Sequence, residues 1–212
     1  MSDILSNIKS ALMKGDRAGV VRHTKDALAA ELEIKDILDG ALISGMEVVG
    51  GKFKRNEIFI PEVLISAKAM HDGMALLEPH FVKCGIKHLG KVAIGTVKGD
   101  LHDIGKNIVS MMLKGACMEV EDFGIDVPPA KFVEAVKRGG IDIVAMSSLL
   151  TTSMNAMRDT IKALKDSGLR DKVRIMVGGA PVTKDFADSI GADGYARDAA
   201  SAADLAKELL RK

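Results

Sequence analysis

The hexapeptide Asp100-Leu101-His102-Asp103-Ile104-Gly105 follows directly on the apolar run Val92-Ala93-Ile94-Gly95-Thr96-Val97. Such a run, ending in a glycine-closed loop, delivers a histidine with a carboxylate two residues before it. One imidazole nitrogen can then ligate a metal while the carboxylate holds the other. Taken alone, His102 is equally a polar loop residue. Asp103 stands where a helix begins and suits a cap or a dipole partner, which leaves Asp100 better placed to accept from the ring. Two further pieces follow, Ser147-Ser148-Leu149-Leu150-Thr151-Thr152-Ser153 and Gly178-Gly179. The hydroxyls of Ser147, Thr151 and Ser153 alternate. One of them is expected to cap a helix, and the others exceed what a cap needs. Paired glycines make a plain turn or let a ligand approach the backbone closely.

These pieces recur within an alternating pattern. Strands are expected over 91–97, 118–123, 141–147, 173–177 and 194–196. Helices are expected over 105–115, 129–137, 154–167, 183–189 and 199–210. Short apolar strands alternating with helices imply a parallel sheet covered on both faces. Five strands fit the flavodoxin-like, doubly wound order 2-1-3-4-5, whose ligand crevice lies at the carboxyl ends of the first and third strands. That topology brings the Asp100–Gly105 loop beside the Ser147–Ser153 stretch, with Gly178-Gly179 next to them.

The front half has a helical period instead. Ile4, Leu5, Ile8, Leu12 and Met13 share one face, and Gly15-Asp16 ends that helix and caps the next, which carries Val20, Val21, Ala27 and Leu28. A third helix runs from Ile34 to Phe53, and Pro61 opens a fourth through Val63, Leu64, Ala67, Met70, Met74 and Leu77. Four amphipathic helices make a small bundle. The expected organisation is a helical bundle over 1–83, a linker over 84–90 and the α/β domain over 91–212. Phe53, Phe59, Ile60 and Val63 cluster at a helix–helix connection, where residues are normally polar. Spacing alone favours their closing the end of the bundle over their covering something on a neighbouring domain.

Composition excludes several classes. The 212 residues are 47% apolar, enough for a sizeable core, and the net charge of +1 gives no broad footprint for nucleic acid. Aromatics are only 3%, which speaks against base-stacking platforms. The two cysteines, Cys84 and Cys117, lie far apart and read as free thiols of a reducing, cytoplasmic setting. No secretory signal or membrane-length apolar run is seen. Twelve methionines read as core filler. A zinc hydrolase needs more ligands than His102 and Asp103 supply, since His23, His71, His80 and His88 lack partners at ligand spacing. The His-Asp pair of HD-type phosphohydrolases is accompanied by further histidines on helices, whereas this pair lies in a strand–helix loop.

The combination Asp100-x-His102-x-x-Gly105, Ser147-x-Leu149 and Gly178-Gly179 resembles the DxHxxG…SxL…GG signature of cobalamin-binding domains. The Thr151-Thr152-Ser153 extension and the helical front half are most similar to methyltransferase corrinoid proteins, and the likeness covers nearly the whole chain. The resemblance implies a cobalamin or another cobamide as cofactor, working between methylcobalamin and cob(I)alamin states. His102 would be the lower cobalt ligand, replacing the cofactor's own base. Asp100 would hold the other imidazole nitrogen and Ser153 would extend that relay. Leu101, Asp103, Ile104 and Gly105 would touch the corrin. Ser147, Leu149, Thr151, Gly178, Gly179, Tyr195 and Ala199 would line the channel of the displaced nucleotide tail. Phe53, Ile60 and Val63 would lie above the cobalt, and Asp39 matches a cap acid near the corrin.

The implied function is a methyl carrier subunit of a multi-component methyltransferase, not a catalyst by itself. One methyltransferase, specific for the donor, would load it. A second would unload it to tetrahydrofolate or a thiol such as coenzyme M, and a reductive activator would rescue Co(II). No nucleic acid or membrane is implied. A cobalamin-binding sensor is the first alternative, although it would carry a DNA-binding or signalling domain for which the length leaves no room. The cofactor subunit of a mutase is the second, opposed by the helical front half. A cofactor-free receiver-like domain would have no reason for His102.

Overall fold

The computed structural model describes residues 2–84 and 88–211, with side chains for all of these except residues 2 and 82–84. It divides into two compact units, one of Met1–His88 with Lys114–Cys117 and one of Leu89–Leu113 with Met118–Lys212. The short insertion at Lys114–Cys117 is a feature that a division into two continuous segments does not contain. Part of the expected linker, Gly85 to Lys87, and the side chain of Cys84 lie outside the described residues. Two of its other residues are not linker. Cys84 ends a helix. Gly90 belongs to the sheet unit: its carbonyl accepts the Glu119 N–H at 3.0 Å, and a Cβ there would meet Leu210 at 2.5 Å.

The helical unit contains α1 (Ser2–Met13), α2 (Arg17–Ala29), a π-helical stretch (Asp36–Ile43) that runs on into α3 (Ser44–Lys54), and α4 (Ile60–Cys84). Asp16 caps α2 as expected, its carboxylate accepting the Gly19 N–H at 2.9 Å. Ile8, Leu12, Val20, Ile37, Leu42, Met70 and Leu77 have essentially no exposure and form the core. The π-helical turns are not distinguishable in the sequence, because Ile37, Leu38, Ala41 and Leu42 point inward in either winding. Phe59 precedes α4 and its N–H donates to the Glu62 carboxylate at 3.1 Å, the backward half of a capping box.

The second unit holds β1 (Lys91–Thr96), α5 (Ile104–Gly115), β2 (Glu119–Asp122), α6 (Pro129–Arg138), β3 (Ile143–Ser147) and α7 (Asn155–Asp166). A 3-10 turn (Arg170–Lys172), β4 (Arg174–Gly178), α8 (Lys184–Ile190), β5 (Gly194–Ala196) and α9 (Ala199–Leu210) complete it. All strands are parallel in the order β2-β1-β3-β4-β5. Phe132, Val144, Met157, Ile161, Leu164 and Ile175 fill one side of the sheet. The register does the positioning. Thr96 stands beside Ser147, Ser147 beside Gly178, and Gly178 beside Ala196, so four strands end in one row. The loops after β1, β3 and β4 therefore leave the sheet at a common edge, where its order reverses.

Candidate functional site

The site grows out of that row. After β1 a turn over Lys98-Gly99, closed by the Asp100 N–H on the Val97 carbonyl at 3.2 Å, tucks the Asp100 side chain inward to zero exposure. His102 follows, its carbonyl fixed by the buried Thr96 hydroxyl at 2.7 Å. The Asp100 carboxylate takes hydrogen bonds on both oxygens. Oδ1 accepts from the His102 backbone N–H at 3.1 Å and faces Nδ1 of the His102 ring at 2.7 Å. Oδ2 accepts from the Leu149 N–H at 2.6 Å, the Leu150 N–H at 3.2 Å and the Ser153 hydroxyl at 2.9 Å. Burial by itself would raise this carboxyl's pKa. The Leu149 N–H, the His102 backbone and ring, and the Ser153 hydroxyl outweigh burial and hold it well below the usual carboxylate range. An ionised carboxylate only accepts, so Nδ1 carries the ring proton and the imidazole lone pair is on Nε2.

The third layer lies behind Asp100. Ser153 is buried and its oxygen lies 2.8 Å from the equally buried Ser148 Oγ, which also reaches the Leu150 carbonyl at 3.0 Å. Each hydroxyl has one proton. With Ser153 donating to Asp100, Ser148 supplies the proton between the two serines or to Leu150. The expected helix cap among Ser147, Thr151 and Ser153 does not form: α7 begins at Met154 as its cap residue, without a side-chain bond. Ser153 turns to the carboxylate because that buried charge needs donors more than a solvated helix end does. Ser147 is half-buried, its carbonyl accepting the Val97 N–H at 3.0 Å, and Thr151 is exposed.

Gly178 and Gly179 have a structural necessity of their own. A Cβ on Gly178 would stand 2.8 Å from the Ala196 carbonyl, and one on Gly179 would stand 1.8 Å from the Ser148 carbonyl, with φ at +128°. The pair lets the loops after β3, β4 and β5 close on one another and keeps Leu149 and Leu150 aimed at Asp100. Tyr195 is half-buried against the sheet core, and Ala199 is buried at the start of α9.

Outward from His102 the surface is apolar and unusually bare. The His102 side chain is 51% exposed. Leu101 is 70% exposed, Ile104 74%, Leu149 43% and Leu150 41%. A Cβ on Gly105 would meet nothing within 4 Å. Large aliphatic side chains turned to water around one imidazole are a site for a broad apolar partner. Asp103 begins α5, its carbonyl accepting the Asn107 N–H at 2.8 Å and its carboxylate the Asn107 amide at 3.1 Å. In the next turn the buried Lys106 ammonium bonds Asn107 Oδ1 at 2.8 Å and pairs with Asp122 at 2.5 Å, tying α5 to the end of β2.

On the helical unit, the cluster at the α3–α4 connection does not close the bundle end. Phe59 is 64% and Ile60 42% exposed, because the chain entering α4 directs them outward, while Val63, one turn on, points into the core with 1% exposure. Val63 therefore offers no surface to a ligand in this conformation. Phe53 is half-buried and Asp39 exposed. Among the described residues no group of three or more His, Cys, Asp or Glu could hold a metal ion, and no helix is long and apolar enough to cross a membrane. Cys117 is a buried free thiol.

Sequence reasoning missed Ser148, the Leu149 and Leu150 N–H groups, Thr96, and the Lys106–Asp122 pair. The Ser-Ser doublet was a visible signal for the first. Backbone donors have none, because every residue except proline has an N–H.

Comparison with known proteins gives a consistent picture. Residues 90–204 match the B12 binding domain family, and residues 4–78 match a second family of the same description. The chain is 41% identical over 212 residues to a corrinoid protein of Desulfitobacterium hafniense strain Y51, covering 99% of this chain and 98% of that one. It is 43% identical over 213 residues to dimethylamine corrinoid protein 3 of Methanosarcina acetivorans, covering 99% and 100%. The crystal structure of the methanol:cobalamin methyltransferase complex MtaBC from Methanosarcina barkeri contains a chain that superposes with a TM-score of 0.86 at 31% identity, covering 99% of this chain and 80% of that one.

Proposed function

Because the chain belongs to the B12-binding corrinoid protein family and binds a cobamide, we propose that it is a methyl carrier in which His102 would ligate the cobalt. The observation that carries the ligand assignment is the His102–Asp100 contact of 2.7 Å, which leaves the imidazole lone pair on Nε2 amid exposed Leu101, Ile104, Leu149 and Leu150. When bound, the cobamide supplies a cobalt that accepts a methyl group from one partner and yields it to another.

The chain's own residues set the terms. Leu101, Asp103, Ile104 and Gly105 would offer the surface that the macrocycle rests against. Ser147, Leu149, Thr151, Gly178, Gly179, Tyr195 and Ala199 define the channel for the nucleotide tail. Phe53, Ile60 and Asp39 are the cap residues of the helical unit. Asp100 orients the ring and fixes its tautomer, as outer partners of metal-bound histidines do. Five donors keep Asp100 an acceptor toward Nδ1, and Ser153 is already donating to it.

A methyltransferase specific for the donor loads the carrier, an arrangement supported by the complex that gives the MtaBC structure its name. A second methyltransferase unloads it to tetrahydrofolate or a thiol such as coenzyme M, and a reductive activator returns Co(II) to service. The place of work is the cytoplasm, a reading supported by the two widely separated cysteines.

Reconstitution with hydroxocobalamin tests the proposal. The protein is expected to emerge coloured, with the cofactor's own base displaced and an absorption spectrum that changes in His102→Ala. After two-electron reduction of the cobalt to Co(I) with a strong reductant such as titanium(III) citrate, it should also take up one methyl group per cofactor from a methylated substrate in the presence of a donor-specific methyltransferase. Colourless protein, or cofactor with its own base still coordinated, would contradict it.

A further inference from the structure

The loop that presents His102 is gripped from one side by a residue to which neither the sequence motif nor the site chemistry assigns a role. Asp126, in the connection between β2 and α6, exchanges two hydrogen bonds with that loop. Its carboxylate Oδ1 accepts the Gly99 N–H at 2.7 Å, and its own N–H donates to the Asp100 carbonyl at 3.0 Å. Flanking bonds reinforce the grip: the Val127 N–H donates to the Thr96 carbonyl at 2.9 Å, and the Thr96 N–H to the Gly124 carbonyl at 3.0 Å. The carboxylate of Asp100 is secured by Leu149, Leu150 and Ser153 and its N–H by the Val97 carbonyl, but its own carbonyl is secured by Asp126.

The residue type fits this use. Asp126 has φ of +51°, the left-handed region in which glycine is cheapest and aspartate and asparagine are tolerated. Glycine would satisfy the backbone but has no acceptor for Gly99. The side chain is also exposed, so burial does not explain it. What remains is the bond to the turn that sets the direction of Asp100 and, two residues on, of His102.

We infer that Asp126 is a positioning residue for the cobalt-ligand loop, holding Gly99 and Asp100 so that the imidazole is preorganised for cobalt. This rests on the proposal that His102 is the ligand. Preorganised supports of this kind act through their partners and leave the ligand set itself unchanged.

The test compares full-length wild type, Asp126→Asn and Asp126→Gly. Asn and Gly both tolerate the left-handed backbone, but only Asn keeps an acceptor, so their difference isolates the side-chain bond. Two readouts apply: affinity for cob(II)alamin, and amide hydrogen exchange at Gly99, Leu101 and His102 in unloaded protein. Asp126→Gly is expected to bind cob(II)alamin about fivefold more weakly, the value of one ordinary hydrogen bond, and to exchange those amides faster, while Asp126→Asn restores both. Wild-type affinity and exchange in Asp126→Gly would overturn the inference while leaving His102 as ligand intact. Wild-type protein that binds cobalamin without histidine coordination would overturn the ligand proposal and this inference with it.

Discussion

Replacing Asp100 with asparagine removes one charge and one acceptor site, and the geometry says which side of the amide fails. If the new NH2 faced the Oδ2 side it would meet the Leu149 and Leu150 N–H groups, which stand 2.6 and 3.2 Å from the present oxygen and cannot become acceptors. If it faced the Oδ1 side it would meet the His102 N–H and the His102 ring, at 3.1 and 2.7 Å. The ring can adapt by moving its proton from Nδ1 to Nε2 and accepting from the amide. The second orientation is therefore favoured, and in it Nε2 carries a hydrogen and has no lone pair for a metal. A hydrogen bond to a neutral acceptor contributes about 0.5–1.5 kcal/mol and a buried unpaired N–H costs about 1–3 kcal/mol, so the preference for this arrangement is substantial. Coordination by cobalt must then reverse the tautomer. The expected loss is about 10–100-fold in the equilibrium favouring His102 coordination, in line with outer-partner substitutions at metal-bound histidines. Titration of Asp100→Asn with cob(II)alamin, followed by absorption and electron paramagnetic resonance, reads it. Asparagine protein that coordinates through His102 as fully as wild type would refute the tautomer reasoning.

Ser153→Ala leaves four donors on Asp100 and the ring tautomer unchanged, so its effect on His102 coordination should be clearly smaller than that of Asp100→Asn; an equal or larger effect would show that the hydroxyl does more than orient the carboxylate. Gly179→Ala forces a Cβ to within 1.8 Å of the Ser148 carbonyl at φ +128°. Backbone strain of about 1–3 kcal/mol and overpacking of about 1–3 kcal/mol combine to a loss of about 2–6 kcal/mol, measurable by urea unfolding. A loss under about 1 kcal/mol would mean the loops yield more easily than this packing allows. Asp198 caps α9 by accepting the Ser201 N–H at 2.7 Å. Burial opposes its ionisation, but the Ser201 bonds and Arg197 hold its pKa below the ordinary value. Because the folded value is lowered, its stabilisation is complete above the unfolded pKa of about 3.9 and fades as pH falls through the folded one. Asp198→Ala should therefore cost about 0.5–2 kcal/mol near neutrality, with the gap to wild type closing in acid unfolding series.

The sheet unit was legible because each of its elements announces itself twice, once by apolar pattern and once by its stop. Gly194–Ala196 and Ala199–Leu210 fall where the sequence places them, and the strand order follows from the strand–helix alternation. Asp100 and His102 were visible as a pair because spacing of two in a tight loop brings a side chain back on its neighbour. What the sequence hid are features carried by the main chain. The N–H groups of Leu149 and Leu150 reach Asp100 across 49 and 50 residues through backbone that any side chain would supply. The π-helical winding of Asp36–Ile43 buries the same residues an α-helix would. Exposure at the α3–α4 connection was misjudged because clustering of Phe53, Phe59, Ile60 and Val63 says nothing about direction: only the helix phase separates an outward Ile60 from an inward Val63.

The central claim is a bond between one imidazole nitrogen and cobalt, and isotope labelling addresses it atom by atom. Protein grown with 15N-labelled histidine and loaded with unlabelled cob(II)alamin should show axial hyperfine splitting from a nuclear spin of one half, and that splitting should vanish in His102→Ala while persisting when any other histidine is replaced. Splitting from the cofactor's own unlabelled base, or none at all, would contradict the account.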